Sequence, residues 1–290
     1  MKRIVMIVLL VPVLAIAQKQ PKPNINKALN SWKTGKVAEA KEMIDLATTY
    51  EKTMDDPKTW YYRGLIYASI DTASDASIKN LSDEAFKIAL ESFQKSDELN
   101  KGSKNELFIQ DASGLPITKA QHMQTWTANY INKGAGAYQE DDLEGALANF
   151  EKVQQINPKD TTSFFYAGFV ANGLEKYDLA LKNFRAYIDN GGTSSDALLS
   201  IYQIYSGPKE DKEKALAIAQ EGKQKYPDNK DFPKVEIGLL IDLGKIDQAK
   251  SGLEAAIKSE PDNKILHFYL GYVNSSLNNT DAAKKTTKMH

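Results

Sequence analysis

The sequence contains no cysteine, which excludes disulfide bonds and any metal site built from thiolates. Histidine is also scarce, since only His122, His267 and His290 occur and none lies near another in the sequence. Metal ligands and catalytic bases work with partners at characteristic spacings, and no such partner accompanies these histidines. We therefore expect packing or surface roles for all three and a fold stabilised by packing alone.

Neither sign of charge is in excess, because 37 basic side chains face 38 acidic ones and the formal net charge is −1. A chain without a basic excess has no field that attracts nucleic acid or an anionic lipid surface. Hydrophobic residues make up 42% and charged residues 26%, which is the usual composition of a globular protein. We therefore expect no nucleic acid partner.

Long apolar runs are absent apart from one, Ile4–Leu14, which is too short to span a membrane. A basic start, Lys2-Arg3, precedes this run, and Ala15-Ile16-Ala17 follows it as a small-x-small cleavage site. This order predicts a secretory signal peptide cleaved after Ala17, rather than a buried N-terminal helix. We expect a mature protein without a transmembrane segment, exported to the periplasm or secreted. Because no cysteine follows the signal, it should not be a lipoprotein.

The chain does contain an internal repeat, which is clearest as two adjacent copies over Thr127–Ser194. Gly134 recurs as Gly168, and an alanine and a phenylalanine recur at the same interval. The alanine continues at an almost constant interval, at Ala146, Ala180, Ala215, Ala249 and Ala283. Each copy is predicted to form helix, turn, helix, and such hairpins stack because one alone cannot bury its apolar face. An unrelated helical bundle is the alternative.

Trp60, Gly64 and Tyr67 follow the spacing W-x2-L-G-x2-Y, with Arg63 in place of the leucine. The chain thereby resembles the tetratricopeptide repeat (TPR) family, whose 34-residue unit continues with an alanine and a large apolar residue. These two arrive later than the pattern requires, as Ala89 and Phe93, which indicates an insertion between the helices. The resemblance covers most of residues 24–290 and implies an all-α fold, a right-handed TPR-like superhelix (α-solenoid) of stacked repeats.

The pattern divides the chain into four parts. They are a signal peptide (1–17), N-terminal TPR-like repeats (18–100) with an inserted exposed loop (71–84), an irregular connector and helix start (101–126), and a regular repeat array (127–290). Helices are predicted at Asn24–Thr34, Val37–Tyr50, Pro57–Ile70 and Ile117–Tyr138. We also expect Asp141-Asp142 to begin the second helix of the first regular repeat, and Leu107, Phe108 and Ile109 to form a small apolar cluster.

Two S-x-x-K sequences match the nucleophile motif of penicillin-binding enzymes, beginning at Ser92 and Ser206. A K-T-G sequence occurs at Lys33, but it precedes both matches, whereas those enzymes place it after, and S-D-N is absent. We interpret all three matches as coincidences. The sequence therefore predicts no catalytic residue, no cofactor and no metal site.

The TPR resemblance implies that first helices line a concave face through the second, fifth, ninth and twelfth positions of each unit. By register these are Ala128, Ile131, Ala135, Tyr138, Thr162, Phe165, Phe169, Asn172, Ile265, Phe268, Tyr272 and Ser275. The large ones form the hypothetical partner-binding groove, namely Tyr138, Phe165, Phe169, Phe268 and Tyr272. Alternatively these residues simply pack together. The Lys/Asn/Arg set with which some TPR domains clamp a peptide carboxylate is not matched.

The predicted function is that of an exported, non-catalytic scaffold or adaptor that binds partner proteins through this groove. Two alternatives are a structural subunit that self-associates through repeat ends and an enzyme whose site lies on the inserted segments. The last helix, Thr280–His290, is short, so the sequence predicts partly open residues on the preceding helix, namely Ile265, Leu266, Tyr269 and Val273. This end could pair as a homodimer, or it could be the frayed end of a truncated family member.

Overall fold

The computed structural model describes residues 22–277. The predicted signal peptide, the predicted last helix Thr280–His290 and Ala283 lie outside the described residues. Within residues 22–277 the chain forms fourteen helices and one two-stranded sheet. These elements are, in chain order, α1 (Ile25–Lys33), α2 (Val37–Ala47), α3 (Pro57–Thr72), α4 (Ala76–Lys79), α5 (Ala85–Asn100), β1 (Phe108–Gln110), β2 (Pro116–Thr118), α6 (Lys119–Gln139), α7 (Leu143–Ile156), α8 (Thr161–Gly173), α9 (Tyr177–Asp189), α10 (Asp196–Ser206), α11 (Lys212–Lys225), α12 (Asp231–Asp242), α13 (Ile246–Ser259) and α14 (Lys264–Ser276).

The helices pack as successive hairpins, pairing α1 with α2, α3 with α5, α8 with α9, α10 with α11 and α12 with α13. Each hairpin also contacts the next one within the same part of the chain, for example α7 with α8 and α11 with α12. The fold is therefore an all-α, TPR-like solenoid, as the sequence predicts. Two compact units make up the chain, one ending at His122 and the other beginning at Met123, within α6.

The recurring alanines are fully buried in the second unit. Ala146, Ala180, Ala215 and Ala249 are all 0% exposed, so the recurring position lies in the core, where a small residue lets helices pack closely. The recurring glycines have the same role on first helices. A Cβ atom at Gly134 would lie 2.8 Å from the Phe150 ring, so a side chain there would force that ring to shift.

In the repeat after α8 and α9, the small residue and the large aromatic residue exchange helices. The register of Gly168 and Phe184 reaches Tyr202 and Ala219, so the first helix supplies the large residue and the second the small one. Ala219 belongs to a buried cluster with Leu216 and Leu240, and Tyr202 packs against that cluster.

The segment before α6 forms a β-hairpin that the sequence pattern does not predict. Ile109 of β1 pairs with Ile117 of β2 in an antiparallel register. The predicted helix start at Ile117 is therefore wrong, and α6 begins at Lys119. The Thr118 hydroxyl accepts from Gln121 N (3.2 Å) and the Gln121 side chain accepts from Thr118 N (2.8 Å), so a capping box fixes this start.

Three smaller expectations also need correction. Leu107 and Ile109 are buried, but Phe108 between them points outward and is 51% exposed, because neighbouring strand residues face opposite sides. Residues 71–84 are partly or fully exposed, as predicted, but contain the short helix α4. Asp141 and Asp142 precede α7 instead of starting it, and Asp142 caps the helix by accepting from Gly145 N at 2.9 Å.

Candidate partner-binding groove

A groove of about 540 Å³ runs between α6 and α8, the first helices of two consecutive repeats. Its lining is formed by Ile131, Ala135, Tyr138, Gln139, Phe150, Thr162, Phe165, Tyr166, Phe169 and Val170. Six of these ten occupy the positions that the TPR register predicts for this pair of helices, and Ala128 and Asn172 are the two predicted positions outside the lining. The register therefore predicts most of the groove residues, but it does not predict the depth of the groove or the residues at its edges.

The helices that form the groove carry almost no charge. None of the thirteen residues of α8 is charged, and Lys133 is the one charged residue of α6 beyond Met123. Charges lie instead on second helices and the adjoining turns, where Lys176 pairs with Glu144 at 2.7 Å and Lys209 with Asp178 at 2.5 Å. The groove is therefore an apolar, uncharged surface.

Aromatic rings of the second helices support the groove from below. Phe165 contacts Tyr187 and Phe169 with ring centroids 4.9 and 4.8 Å apart, and Phe169 meets Phe184 edge-on at 5.2 Å. Phe165 is half-buried by these contacts, whereas Phe169 remains 38% exposed. Both of the alternatives that the sequence left open therefore hold in part, because these rings pack together and still present a surface.

Tyr166 is a groove residue that the register did not select. It lies one residue beyond Phe165, is 50% exposed and stacks on Phe150 with ring centroids 5.8 Å apart. Tyr138, which the register did select, closes the same groove and is 55% exposed. The adjacent pair Phe165-Tyr166 indicates that one of the two rings is exposed, because neighbouring residues on a helix cannot both point into one core.

Phe268 and Tyr272 do not line this groove. Both lie on α14, where they are 65% and 54% exposed. A smaller cavity of about 210 Å³ between α12 and α14 is lined by Lys234, Ile237, Gly238, Ile241, Asn263, Ile265, Leu266 and Tyr269. The five residues predicted as one groove are therefore divided between two places in the second unit.

The predicted open patch on α14 is only half correct. Leu266 and Val273 are buried, at 4% and 0% exposure, because they pack into the cluster around Leu253 and Leu240. Ile265 and Tyr269 are exposed, at 66% and 43%. Leu266 and Val273 therefore cannot take part in an interface with another chain.

The serines of the two S-x-x-K sequences have structural contacts. Ser92 is fully buried, and its hydroxyl donates to the Ile88 carbonyl at 2.6 Å and accepts from Arg63 Nη1 at 3.2 Å. The hydroxyl of Ser206 donates to the Gln203 carbonyl at 3.4 Å. Lys95 pairs with Glu98 and Lys209 with Asp178, so each lysine has a carboxylate partner. This geometry supports the interpretation of both matches as coincidences.

The histidines within the described part lie in packing positions. The ring of His122 is 6.3 Å from that of Tyr61, and burial lowers the pKa of His122. His267 contacts the Pro261 carbonyl through Nε2 at 2.8 Å. Across residues 22–277 no three or more histidine, aspartate or glutamate side chains converge as metal ligands, and no helix there has the length and apolarity needed to cross a membrane.

A polar cluster in the first unit joins α2, α3 and α5. Arg63, at the leucine position of the TPR pattern, donates through Nε to Asp45 at 3.0 Å and through Nη1 to Ser92. Asp45 also accepts from Tyr67 at 2.7 Å and Lys41 at 3.1 Å. Burial and then the Asp45 carboxylate raise the pKa of Tyr67. Every member has a partner within the cluster, so the cluster ties α2, α3 and α5 together.

No protein-family model matches this chain, and no curated protein matches its sequence. The fold is similar to solved structures over about half of the chain. YrrB, described as a TPR protein with an unusual peptide-binding site, has a TM-score of 0.45 and 21% identity, over 55% of this chain and 81% of its own. MamA protein has a TM-score of 0.48 and 18% identity, over 56% and 88%. MamA from Desulfovibrio magneticus RS-1 has a TM-score of 0.45 and 14% identity, over 56% and 92%.

Proposed function

We propose that this chain is an exported, non-catalytic protein-binding scaffold whose α6/α8 groove holds an apolar, uncharged segment of a partner protein. The observation that carries the proposal is the groove itself. It combines an apolar lining, aromatic rings that stay half exposed, and a rigid support of buried aromatic residues beneath them. Contiguous exposed apolar surface of this kind often marks an interaction site.

The chemistry of the lining defines the segment that it can hold. Tyr138 and Tyr166 offer large rings with a hydroxyl at the edge, and Ile131 and Ala135 supply a flat aliphatic wall. A charged segment would lose its hydration here without gaining a counter-ion, because none of the ten lining residues is charged. The favoured ligand is therefore a peptide segment with aliphatic or aromatic side chains, and not an acidic tail.

Export is the second part of the proposal. It is supported by the order of basic start, apolar run and Ala-x-Ala site in residues 1–17. The partner would then belong to the cell envelope or to the secreted proteins. The hydroxyls of Ser92 and Ser206 and the ring of His267 make structural hydrogen bonds, which supports a role in binding without catalysis.

The test uses the mature chain as bait in an extract of the cell envelope, followed by binding measurements with segments of each captured protein. Tyr138→Ala and Tyr166→Ala both remove exposed ring surface from the groove, and Tyr166→Ala also removes the ring stacked on Phe150. We expect each to weaken binding of the segment at least tenfold, which corresponds to about 1.4 kcal/mol. Phe108→Ala is the matched control, because this ring is equally exposed but lies on the β-hairpin.

Two further measurements separate binding from folding. Phe169→Ala should also weaken binding, but because Phe169 packs on Phe184 it should lower the melting temperature as well. Affinity for an uncharged segment should change little between low and high salt, since screening acts on charges. The proposal fails if Tyr138→Ala and Tyr166→Ala leave binding intact, or if binding falls steeply as salt is added.

A further inference from the structure

The last described helix, α14, is apolar on two sides. One side, with Leu266 and Val273, is buried in the core of the second unit. The other side carries a stripe of four exposed residues, Ile265, Phe268, Tyr269 and Tyr272, each between 43% and 66% exposed. Their spacing of three, four and seven positions places them in one row along the helix. A helix that is apolar on both sides is normally covered on both.

The stripe is close to a palindrome. A twofold axis between Phe268 and Tyr269 places Ile265 of one copy beside Tyr272 of the other, and Phe268 beside Tyr269. An antiparallel pair of α14 helices therefore matches ring to ring at its centre and aliphatic side chain to ring at each end. Self-complementarity of this kind is what a twofold interface requires, because the same patch contributes both halves.

The charges on α14 fit the same arrangement. The helix has no acidic residue, and Lys264 lies in its first turn, where a cation opposes the helix dipole. In the antiparallel pair, Lys264 lies beside the last turn of the other copy, around Val273–Ser276. The carbonyl groups at that end carry partial negative charge, so a charge that is unfavourable in one copy is compensated by the second.

We propose that two copies of this chain associate through the α14 stripe, helix against helix, antiparallel about this twofold axis. The inference does not depend on the α6/α8 groove, which lies elsewhere in the second unit. A related sequence in α8 shows why α14 is distinctive. Phe165-Tyr166-Ala167-Gly168-Phe169 resembles Phe268-Tyr269-Leu270-Gly271-Tyr272, but α8 has Thr162 where α14 has Ile265 and is supported by Phe150, Phe184 and Tyr187.

The first test is sedimentation velocity of the mature chain over a hundredfold range of concentration. We expect a monomer–dimer equilibrium that Tyr269→Glu and Ile265→Glu each shift to monomer by at least tenfold in dissociation constant. Tyr166→Glu, at the equivalent place in α8, should leave the dimer intact. Circular dichroism of each variant shows whether it is folded. If Tyr269→Glu does not fold, Ile265→Glu provides the test, because Ile265 is the most exposed residue of the stripe. A strict monomer, or a dimer that Tyr269→Glu and Ile265→Glu leave unchanged, overturns the proposal.

The second test uses the absence of cysteine, because any introduced cysteine is the one thiol in the chain. With a short bismaleimide, Tyr269→Cys should crosslink to itself. Ile265→Cys and Tyr272→Cys should crosslink in a mixture of the two variants, and much more slowly alone. Equal crosslinking of Ile265→Cys with itself would indicate a parallel pair and overturn the geometry. Absence of crosslinking, with the stripe protected from reagent in a monomer, would overturn the dimer and show that the chain covers the stripe with its own residues.

Discussion

Gly64 and Phe93 make the same contact as Gly134 and Phe150, although a much longer stretch of chain separates the first pair. A Cβ atom at Gly64 would lie 2.6 Å from the Phe93 ring, against 2.8 Å for Gly134 and Phe150. The inserted segment, which contains α4, connects α3 to α5 without changing the contact between these two helices. The contact between first and second helix is therefore the fixed feature of the repeat, and the connection between them is free to vary.

Gly64→Ala, Gly134→Ala and Gly168→Ala should each lower the free energy of unfolding by about 1–3 kcal/mol, because the added methyl group overpacks the facing ring. Chemical denaturation followed by circular dichroism measures the change. Gly136→Ala is the matched control in α6, because a Cβ there meets nothing within 4 Å. It should be neutral or stabilise the helix by up to about 1 kcal/mol. Equal losses at Gly134 and Gly136 would contradict the packing argument.

Arg63→Leu should destabilise the first unit although it restores the leucine of the TPR pattern. The side chain of Arg63 is 19% exposed, and its removal deprives Asp45 and Ser92 of a hydrogen-bond donor. Hydrogen bonds to charged groups contribute about 1.5–3 kcal/mol. A double-mutant cycle with Asp45→Asn should show a coupling of about 0.5–3 kcal/mol. Additive effects of the two substitutions would mean that the ion pair contributes nothing.

Tyr61→Phe should stabilise the protein. Tyr61 is 0% exposed, and within the described part of the chain its hydroxyl has no hydrogen-bond partner. Burying a hydroxyl without a partner costs about 1–3 kcal/mol, and phenylalanine fills the same space without that cost. The melting temperature of Tyr61→Phe should therefore exceed that of the native sequence. Tyr166→Phe is the control, since that exposed hydroxyl lies on the surface of the second unit and should not matter.

The same hydroxyl gives a pH dependence. Burial, with smaller contributions from Tyr62 and Glu106, raises the pKa of Tyr61. The unfolded chain, with a tyrosine pKa of about 10, then loses this proton first as pH rises. The contribution of Tyr61 to stability should be constant below about pH 10 and should fall above it, because the folded state then holds more protons than the unfolded chain. Tyr61→Phe should reduce this slope without abolishing it, since burial also raises the pKa of Tyr62 and Tyr67. An unchanged slope would contradict the assignment.

N-terminal sequencing of the exported protein should begin at Gln18. Ala17→Arg should block cleavage, because the site requires a small residue at this position. Mass spectrometry of the exported protein compares the native sequence with Ala17→Arg. A native chain that retains Met1 after export would exclude the signal peptide.

The sequence by itself determined the repeat and its register. Periodic alanines and glycines predicted which helix faces pack, and the positions counted from Thr127 reached six residues of the α6/α8 groove. This was possible because helical periodicity fixes the direction of each side chain relative to its own helix. The capping box Thr118–Gln121 was also available and would have placed the start of α6 correctly.

Only the tertiary structure decided which side chains stay exposed. Leu266 is buried and Ile265 beside it is exposed, because exposure depends on what the neighbouring helices cover and periodicity contains no such information. Phe165 is half-buried because Tyr187 of the neighbouring helix α9 reaches its ring, while Tyr166 remains open. The hairpin at Phe108–Thr118 could not be predicted from the sequence for a related reason. Such short strands cannot show a period of two, so pairing across the turn stabilises them and local sequence does not.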